Sequence, residues 1–368
     1  MSSIKRIFLS ILTVILSSFI GIIVVELILR TLNSNDPWKS MREANILLNF
    51  QFTYDTSQLE GIGTGSVDYV RNQYGLRDSC ENPAEIEILT IGGSTTDQRY
   101  IPLKSTYQNI IEERMKMMSD KFGCVSNAGV DGHSTWGHLY SFENWFPLIP
   151  ELNPKIILLY VGINDANFLR TSLPKIGFDT QRSDGIKGFL KRFEIIRSLL
   201  PIYHLLRQQF DKTSAAYSGH NPQPYSDSDY IVNVMNEKTE FLASKNALAF
   251  RLRMEKLLIE INALGAMPLC VTQPHRFVKE IDGEKRGVEN VFGEGFSDVF
   301  GEGFSGIDYD YSLRKLNEVI FDICGSNTVD LYSHEFSNSH FYDGAHTTSS
   351  GSEEIGMVIS DFIIDKYK

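Results

Sequence analysis

The sequence predicts an α/β fold: a mainly parallel sheet covered by helices on both faces, three layers in all. Two observations predict it. Apolar runs such as "IEILTIG" (86–92) and "KIILLYVG" (155–162) are short and nearly continuous, as in strands buried on both sides. Stretches with helical spacing separate them, and strand–helix–strand alternation implies right-handed crossovers and a parallel sheet. The chain has 368 residues, 42% hydrophobic and 11% aromatic, enough for one large domain or two smaller ones.

In chain order, residues 1–6 form a short tail carrying Lys5 and Arg6. Ile7 to Val25 holds no charge, and with Leu27 to Leu29 the apolar run (7–29) reaches the roughly 20 residues a bilayer requires. A cleaved signal peptide is the rival, but its apolar core should be shorter and end in small residues, whereas this run continues into "ELILRTLNSND". An uncleaved transmembrane anchor is the preferred reading. The basic residues on its two sides do not decide orientation. A short N-terminal tail of this kind usually stays cytoplasmic, which puts the large domain outside a bacterial cytoplasmic membrane.

Residues 30–66, polar with turn signals at Asp36-Pro37 and "EGIGTGS", read as a stalk or linker to a domain over 67–368. There, Ile86–Ile91 is a strand, Tyr107–Met118 a helix, 124–129 a short strand, Thr135–Phe142 a helix and 155–162 a buried strand. Lys245–Leu264 reads as an amphipathic helix capped by Gly265, followed by a strand at 266–273, another at 328–332 and a last helix at Glu353–Tyr367. Two stretches interrupt the alternation. Residues 170–244 are an insertion whose "FLKRFEIIRSLLPIYHLLRQQF" (189–210) suggests a helical pair packed on the domain, or a surface resting on the membrane or covering a site. Residues 291–306 hold a two-copy glycine-rich repeat, to which no chemistry is assigned.

The net charge of −11 argues against a nucleic-acid partner. Cys80, Cys124, Cys270 and Cys324 stand far apart and show no zinc-type spacing. They fit either a reduced compartment or one or two disulfides, and neither is assigned. His133, His138, His275, His334 and His340 lack ligand spacing and read as surface or supporting residues, so no metal and no organic cofactor is expected. Gln273 or His275, at a strand end, is a candidate for lining a pocket.

The first buried strand breaks into "GGSTT". A phosphate-binding loop would place a lysine after the glycines, and here Asp97 follows instead. A dinucleotide loop would need a third, spaced glycine. Ser94 is then either a helix cap or a nucleophile on a tight strand-to-helix turn. A nucleophile needs a base, an orienting acid and an oxyanion site. "FYDGAHTTSSG" offers Asp343 and His346, spaced so that the carboxylate can meet imidazole Nδ1 and leave Nε2 for the serine. Gly132 in a tight turn offers a backbone N–H and Asn164 a side-chain amide, although either residue alone is explained by a turn or a cap.

The blocks "TIGGSTT", "NAGVDG", "VGIND" and "DGAH", in this order and each at a strand end, together resemble the SGNH (GDSL-type) hydrolase family. The resemblance covers about 67–360. Its lead-in "VRNQYGLRD" (70–78) looks like the segment before the serine block in membrane-anchored bacterial members. It implies the SGNH, flavodoxin-like version of the three-layer fold. Ser94 would be the nucleophile, His346 the base and Asp343 its orienter; the Ser94 N–H, the Gly132 N–H and Asn164 would form the oxyanion hole. The implied activity is a serine esterase removing O-acyl groups, acetyl being the first choice, from an envelope polysaccharide or glycolipid. Its partners are then an acylated glycan or small ester substrate, and the membrane. The alternatives are an O-acyltransferase of envelope glycan assembly using the same site and a catalytically silent glycan-binding or assembly protein. One departure stands out: the family usually carries an acidic residue just before the serine, where this chain has Gly93, so the turn must be supported differently.

Overall fold

The computed structural model describes residues 3–32, 44–167, 225–291 and 304–367, apart from positions 60, 64 and 79, with a few single residues between these stretches. The chain divides into two units, Met1–Ser40 with Thr180–Ala215, and Met41–Asp179 with Ala216–Lys368. In the first, helix α1 runs Ser3–Leu32. Its segment Leu12–Leu32 has a mean hydropathy of 2.6 and is long and apolar enough to cross a bilayer, a test that a signal sequence also passes. The one acidic residue of this helix, Glu26, accepts from Arg30 Nε at 2.7 Å, one turn on. The segment 189–210 is described only at scattered positions, and the interior of the glycine-rich repeat (292–303) lies outside the described residues.

Residues 44–66 are not a linker. Strand β1 (Phe50–Asp55) pairs antiparallel with β2 (Ser66–Arg71). Tyr54, Leu59, Ile62, Val67 and Tyr69 form a buried cluster with Tyr100, Ile101 and Tyr342. "SVDYVR" alternates buried and exposed residues with period 2, the pattern of a half-buried strand. The polar, glycine-bearing turn between the strands masks it.

The α/β core follows in chain order. Strand β3 (Ile86–Gly92) leads into a one-turn helix α2 (Ser94–Asp97), then α3 (Tyr107–Met118), β4 (Cys124–Asn127), α4 (Thr135–Tyr140) and β5 (Ile156–Tyr160). After the undescribed stretch come β6 (Tyr230–Ile231), α5 (Thr239–Ala263), β7 (Met267–Val271), β8 (Val278–Ile281), β9 (Glu284–Val288), α6 (Gly306–Cys324), β10 (Thr328–Val329) and α7 (Ser349–Tyr367). Five strands form one parallel sheet in the order β4-β3-β5-β7-β10. A three-stranded antiparallel sheet, β6-β9-β8, flanks it. Helices α3 and α7 pack on one face, and their Tyr107, Ile111, Ile355 and Ile359 meet Ile88, Leu158, Tyr160 and Leu269 of the sheet. Helices α5 and α6 pack together on the other. The expected three-layer α/β architecture is the observed one.

Several boundaries moved. The helix expected from Lys245 starts at Thr239, so the end of the 170–244 insertion belongs to it. Gly265 terminates it at φ 73°, in the left-handed region glycine tolerates. After Tyr140 the chain widens into a π-type turn over Ser141–Trp145 rather than continuing α to Phe142. The last strand keeps only Thr328 and Val329 of the expected five residues. The hairpin β8–β9, turning at Asp282 and Gly283 with φ 54° and 76°, follows the Asp-Gly signal for such turns.

All four cysteines are paired, Cys80 with Cys124 and Cys270 with Cys324, across sequence separations of 44 and 54 residues. The second bond ties β7 to the end of α6. Replacing Cys270 and Cys324 together by serine is expected to lower the unfolding free energy by about 2–4 kcal/mol, because the unfolded chain regains a long loop. Guanidinium unfolding of the detergent-solubilised protein should show that loss. Reductant should destabilise the wild type at least as much as this double substitution.

Candidate active site

Counted along the chain, the parallel strands lie in the order 2-1-3-4-5. The direction of winding reverses between β3 and β5, and ligands of open α/β sheets bind outside the carboxyl ends of the strands at such a point. Ser94 is the first helical residue after β3, at that position. His346 Nε2 lies 2.7 Å from Ser94 Oγ, and His346 Nδ1 lies 2.7 Å from Asp343 Oδ2. The other Asp343 oxygen accepts the backbone N–H groups of Ala345 and His346 at 2.8 and 2.7 Å. The carboxylate therefore fixes both the ring and the backbone that carries it. Burial works against the charged imidazole, but the Asp343 charge and hydrogen bond outweigh it, and His346 titrates above its ordinary 6.5. The Tyr342 ring stacks on the imidazole at 5.6 Å and 10°.

Of the two amide candidates, Asn164 lies directly beside the serine turn. Gly132 has φ 78°, in the left-handed region that glycine tolerates, and among the described residues no acceptor meets its N–H. Asn164 Nδ2 donates to the His133 carbonyl at 2.9 Å. The same amide lies 2.3 Å from where a Cβ on Gly93 would sit. Gly93 is thus the residue that admits Asn164 to the serine turn. Ser94 opens a helix, so its N–H has no acceptor within that turn.

The loops bearing these groups are tied to each other. Asp165, fully buried, accepts Thr135 N–H at 3.0 Å, Thr135 Oγ1 at 2.5 Å and Arg253 Nη2 at 3.2 Å, so the residue after Asn164 caps the helix that follows Gly132. His133 is buried; burial drives it down to about 4, and its Nε2 faces the Ala44 carbonyl at 2.7 Å. Gln98 Nε2 reaches from the serine turn to Ser352 Oγ at 2.7 Å, beside the histidine loop.

Asp97 replaces the support that an acidic residue at position 93 would have given. Its Oδ1 accepts Tyr69 OH at 2.6 Å and Arg71 Nη2 at 2.5 Å, and Arg99 Nη2 approaches Oδ2 at 3.3 Å. Burial opposes ionisation, but Arg71 and Arg99 hold the carboxyl down at about 2. Arg71 also donates to the Gly129 carbonyl at 2.5 Å, and Arg77 to the carbonyls of Asp97, Gln98 and Ile101. This explains the lead-in "VRNQYGLRD": its two arginines reach under the serine turn from β2 and the loop after it. Linear sequence does not reveal that pairing, because nothing in it brings residue 71 to residue 97.

The other pocket candidates do not line an opening. Gln273 is fully buried and bridges Thr95 Oγ1 to the Tyr160 carbonyl, each at 3.0 Å. His275 packs against Asp310, 3.2 Å from Nε2, and its Nδ1 accepts Phe277 N–H. Among the described residues no three His, Cys, Asp or Glu side chains are grouped to hold a metal ion.

No family model matches the chain, and no curated protein does. Solved structures match distantly. A lipase/acylhydrolase from Enterococcus faecalis is 13% identical over 77% of this chain and 98% of its own, with a TM-score of 0.40. A mutant of an acetyl-xylooligosaccharide esterase from Geobacillus is 12% identical over 76% and 92%, with a TM-score of 0.39. A member of the lipolytic G-D-S-L family from Veillonella parvula is 13% identical over 77% and 98%, with a TM-score of 0.38. At this distance the reading of the site rests on its own geometry.

Two substitutions probe that geometry. Asp97→Asn leaves Arg71 buried and uncompensated and is expected to cost about 3–5 kcal/mol in urea unfolding. Because the Asp97 carboxyl is depressed, its contribution is present above the usual carboxylate range and should fade in the wild type as pH falls towards about 2. Gly93→Ala should displace the Asn164 amide. If Asn164 is an oxyanion donor, ester turnover should fall about 10²–10³-fold while far-UV circular dichroism stays unchanged.

Proposed function

We propose that this chain is a serine esterase of the SGNH type, tethered to a membrane by α1, that removes O-acyl groups from a cell-envelope glycan. The observation that carries the proposal is the continuous relay Asp343–His346–Ser94, with 2.7 Å at both links. In this reading Ser94 Oγ attacks the ester carbonyl as His346 Nε2 takes its proton. Asp343 holds the imidazole in the tautomer that presents Nε2 and stabilises the imidazolium that forms. Negative charge gathering on the carbonyl oxygen is met by the N–H groups of Ser94 and Gly132 and by the Asn164 amide. Collapse expels the sugar hydroxyl, protonated by His346, and leaves an acyl-serine. Water, deprotonated by the same imidazole, then releases the acid. No step requires a metal or organic cofactor.

The apolar helix α1 and the two disulfides support a site on the outer side of a membrane, since disulfides persist in oxidising compartments. Acetyl is the favoured acyl group and a polysaccharide or glycolipid the favoured carrier; both come from the family resemblance of the sequence blocks.

A fluorophosphonate probe should label the wild type and not Ser94→Ala, and acetate released from isolated envelope glycans should show the same dependence. A folded wild type that takes no label would leave the relay without a catalytic role. The pH profile carries a second expectation. The base must be neutral, and Asp343 holds His346 above 6.5, so kcat/KM should fall on acidification with a midpoint above that value. In Asp343→Asn the midpoint should move down and kcat fall about 10³–10⁴-fold.

A further inference from the structure

Helix α5 has two apolar faces. Phe250, Met254, Leu257 and Ile261 are fully buried against the domain. Phe241, Leu248, Leu252 and Ile259, at 71, 67, 67 and 65% exposure, line the opposite side. At about 100° per residue the first set centres roughly 180° from the second. The helix is therefore not the one-faced amphipathic element its sequence suggests, and among the described residues nothing covers the outward stripe.

The outward positions are regular. Phe241, Lys245, Leu248, Leu252, Glu255 and Ile259 are all exposed and follow one another at spacings of 4-3-4-3-4. That is the a/d spacing of a coiled-coil seam, sustained over nearly three heptads. The two charged members, Lys245 and Glu255, have no ion-pair or hydrogen-bond partner among the described residues. The seam is also symmetric about the level of Phe250. Laid antiparallel on itself there, Leu248 meets Leu252 of a second copy, Phe241 meets Ile259, and Lys245 meets Glu255. A parallel pairing would set Lys245 against Lys245 and Glu255 against Glu255. Charge complementarity thus selects one partner and one direction.

We propose that the exposed face of α5 is an antiparallel, two-fold interface with a second copy of this chain. Each residue of the seam contacts its mate reciprocally, as closed two-fold symmetry requires. Four apolar layers flank or lie between two Lys–Glu layers, which fix the register. The interface uses no residue of the Ser94 site and stands whether or not that site is an esterase.

Charge reversal tests it on the full-length protein in detergent and in nanodiscs, with mass read by light scattering and melting temperature as the control for folding. The wild type should be dimeric. Lys245→Glu and Glu255→Lys should each raise the dimer dissociation constant about tenfold or more, since each places like charges in two layers. The double variant Lys245→Glu/Glu255→Lys should restore wild-type association, because every layer again holds opposite charges. A monomeric wild type overturns the proposal, as does a dimer indifferent to the single reversals or a double variant that stays weak. A monomer in which Leu248→Cys resists maleimide would assign the stripe to another segment of the same chain, and equally overturns it.

Discussion

The buried pair between Arg71 and Asp97 is the interaction on which the site's geometry depends. A carboxylate and a guanidinium removed from water cost several kcal/mol each unless every lone pair and N–H finds a partner. Here nearly all do. Arg71 spends its donors on Asp97, the Tyr69 hydroxyl and the carbonyls of Gly75 and Gly129, so one side chain joins the hairpin, the serine turn and the approach to Gly132. Arg77 fastens the far side of the same turn through three carbonyls. The cluster holds Arg71, Arg77 and Arg99 against Asp97 and Asp131, and Arg99 bridges the two acids at 3.3 and 3.1 Å. A turn held from below by ions does not depend on a carboxylate beside the serine. Position 93 is then free to be glycine, and its missing side chain leaves room for the Asn164 amide.

Much of this was legible in one dimension, and the reason is local. Strands β3 and β5 announce themselves because a strand buried on both faces has no polar alternation to confuse it. Tyr107–Met118 has the expected ends because Thr106 caps it, its hydroxyl accepting Asn109 N–H. Ser94, Asp343, His346, Gly132 and Asn164 stand out in the sequence because each sits at a strand end or tight turn, where short blocks keep their spacing. In the sequence the hairpin β1–β2 looks like a linker because its apolar residues gain meaning only against Tyr100 and Tyr342, far along the chain. Asp97 marks in the sequence only the absence of a phosphate-loop lysine; its neutralisation by Arg71 and Arg99 is long-range and invisible there.

Helix α5 shows a different limit. One-faced amphipathicity is detected because apolar residues cluster in one direction. When two apolar stripes lie opposite each other their directional signals cancel, and the helix looks merely mixed. Both stripes recur at alternating spacings of three and four residues, so spacing alone does not separate the face that packs on the domain from the one that faces outward. Burial does.

The hairpin read as a linker also bears on the chemistry. Rings pack in succession from Phe52 to Tyr54 at 4.3 Å, Tyr54 to Tyr100 at 5.1 Å, Tyr100 to Tyr342 at 6.4 Å and Tyr342 to His346 at 5.6 Å. Below this column, Ser349 bonds the carbonyls of Gly61 and Ile62, so the segment between β1 and β2 grips the loop that carries the imidazole. Asp343 sets the direction of Nε2 by hydrogen bonding, but a bond along one edge leaves the ring able to tip out of its plane. A parallel aromatic face resists that motion, and Tyr342 supplies it only while Tyr100 and Tyr54 hold it from behind. The geometry of the proposed relay therefore reaches back to residue 52, well before the first strand of the sheet, and a fragment cut at the start of β3 would keep the Asp343–His346–Ser94 groups while losing what holds the imidazole upright.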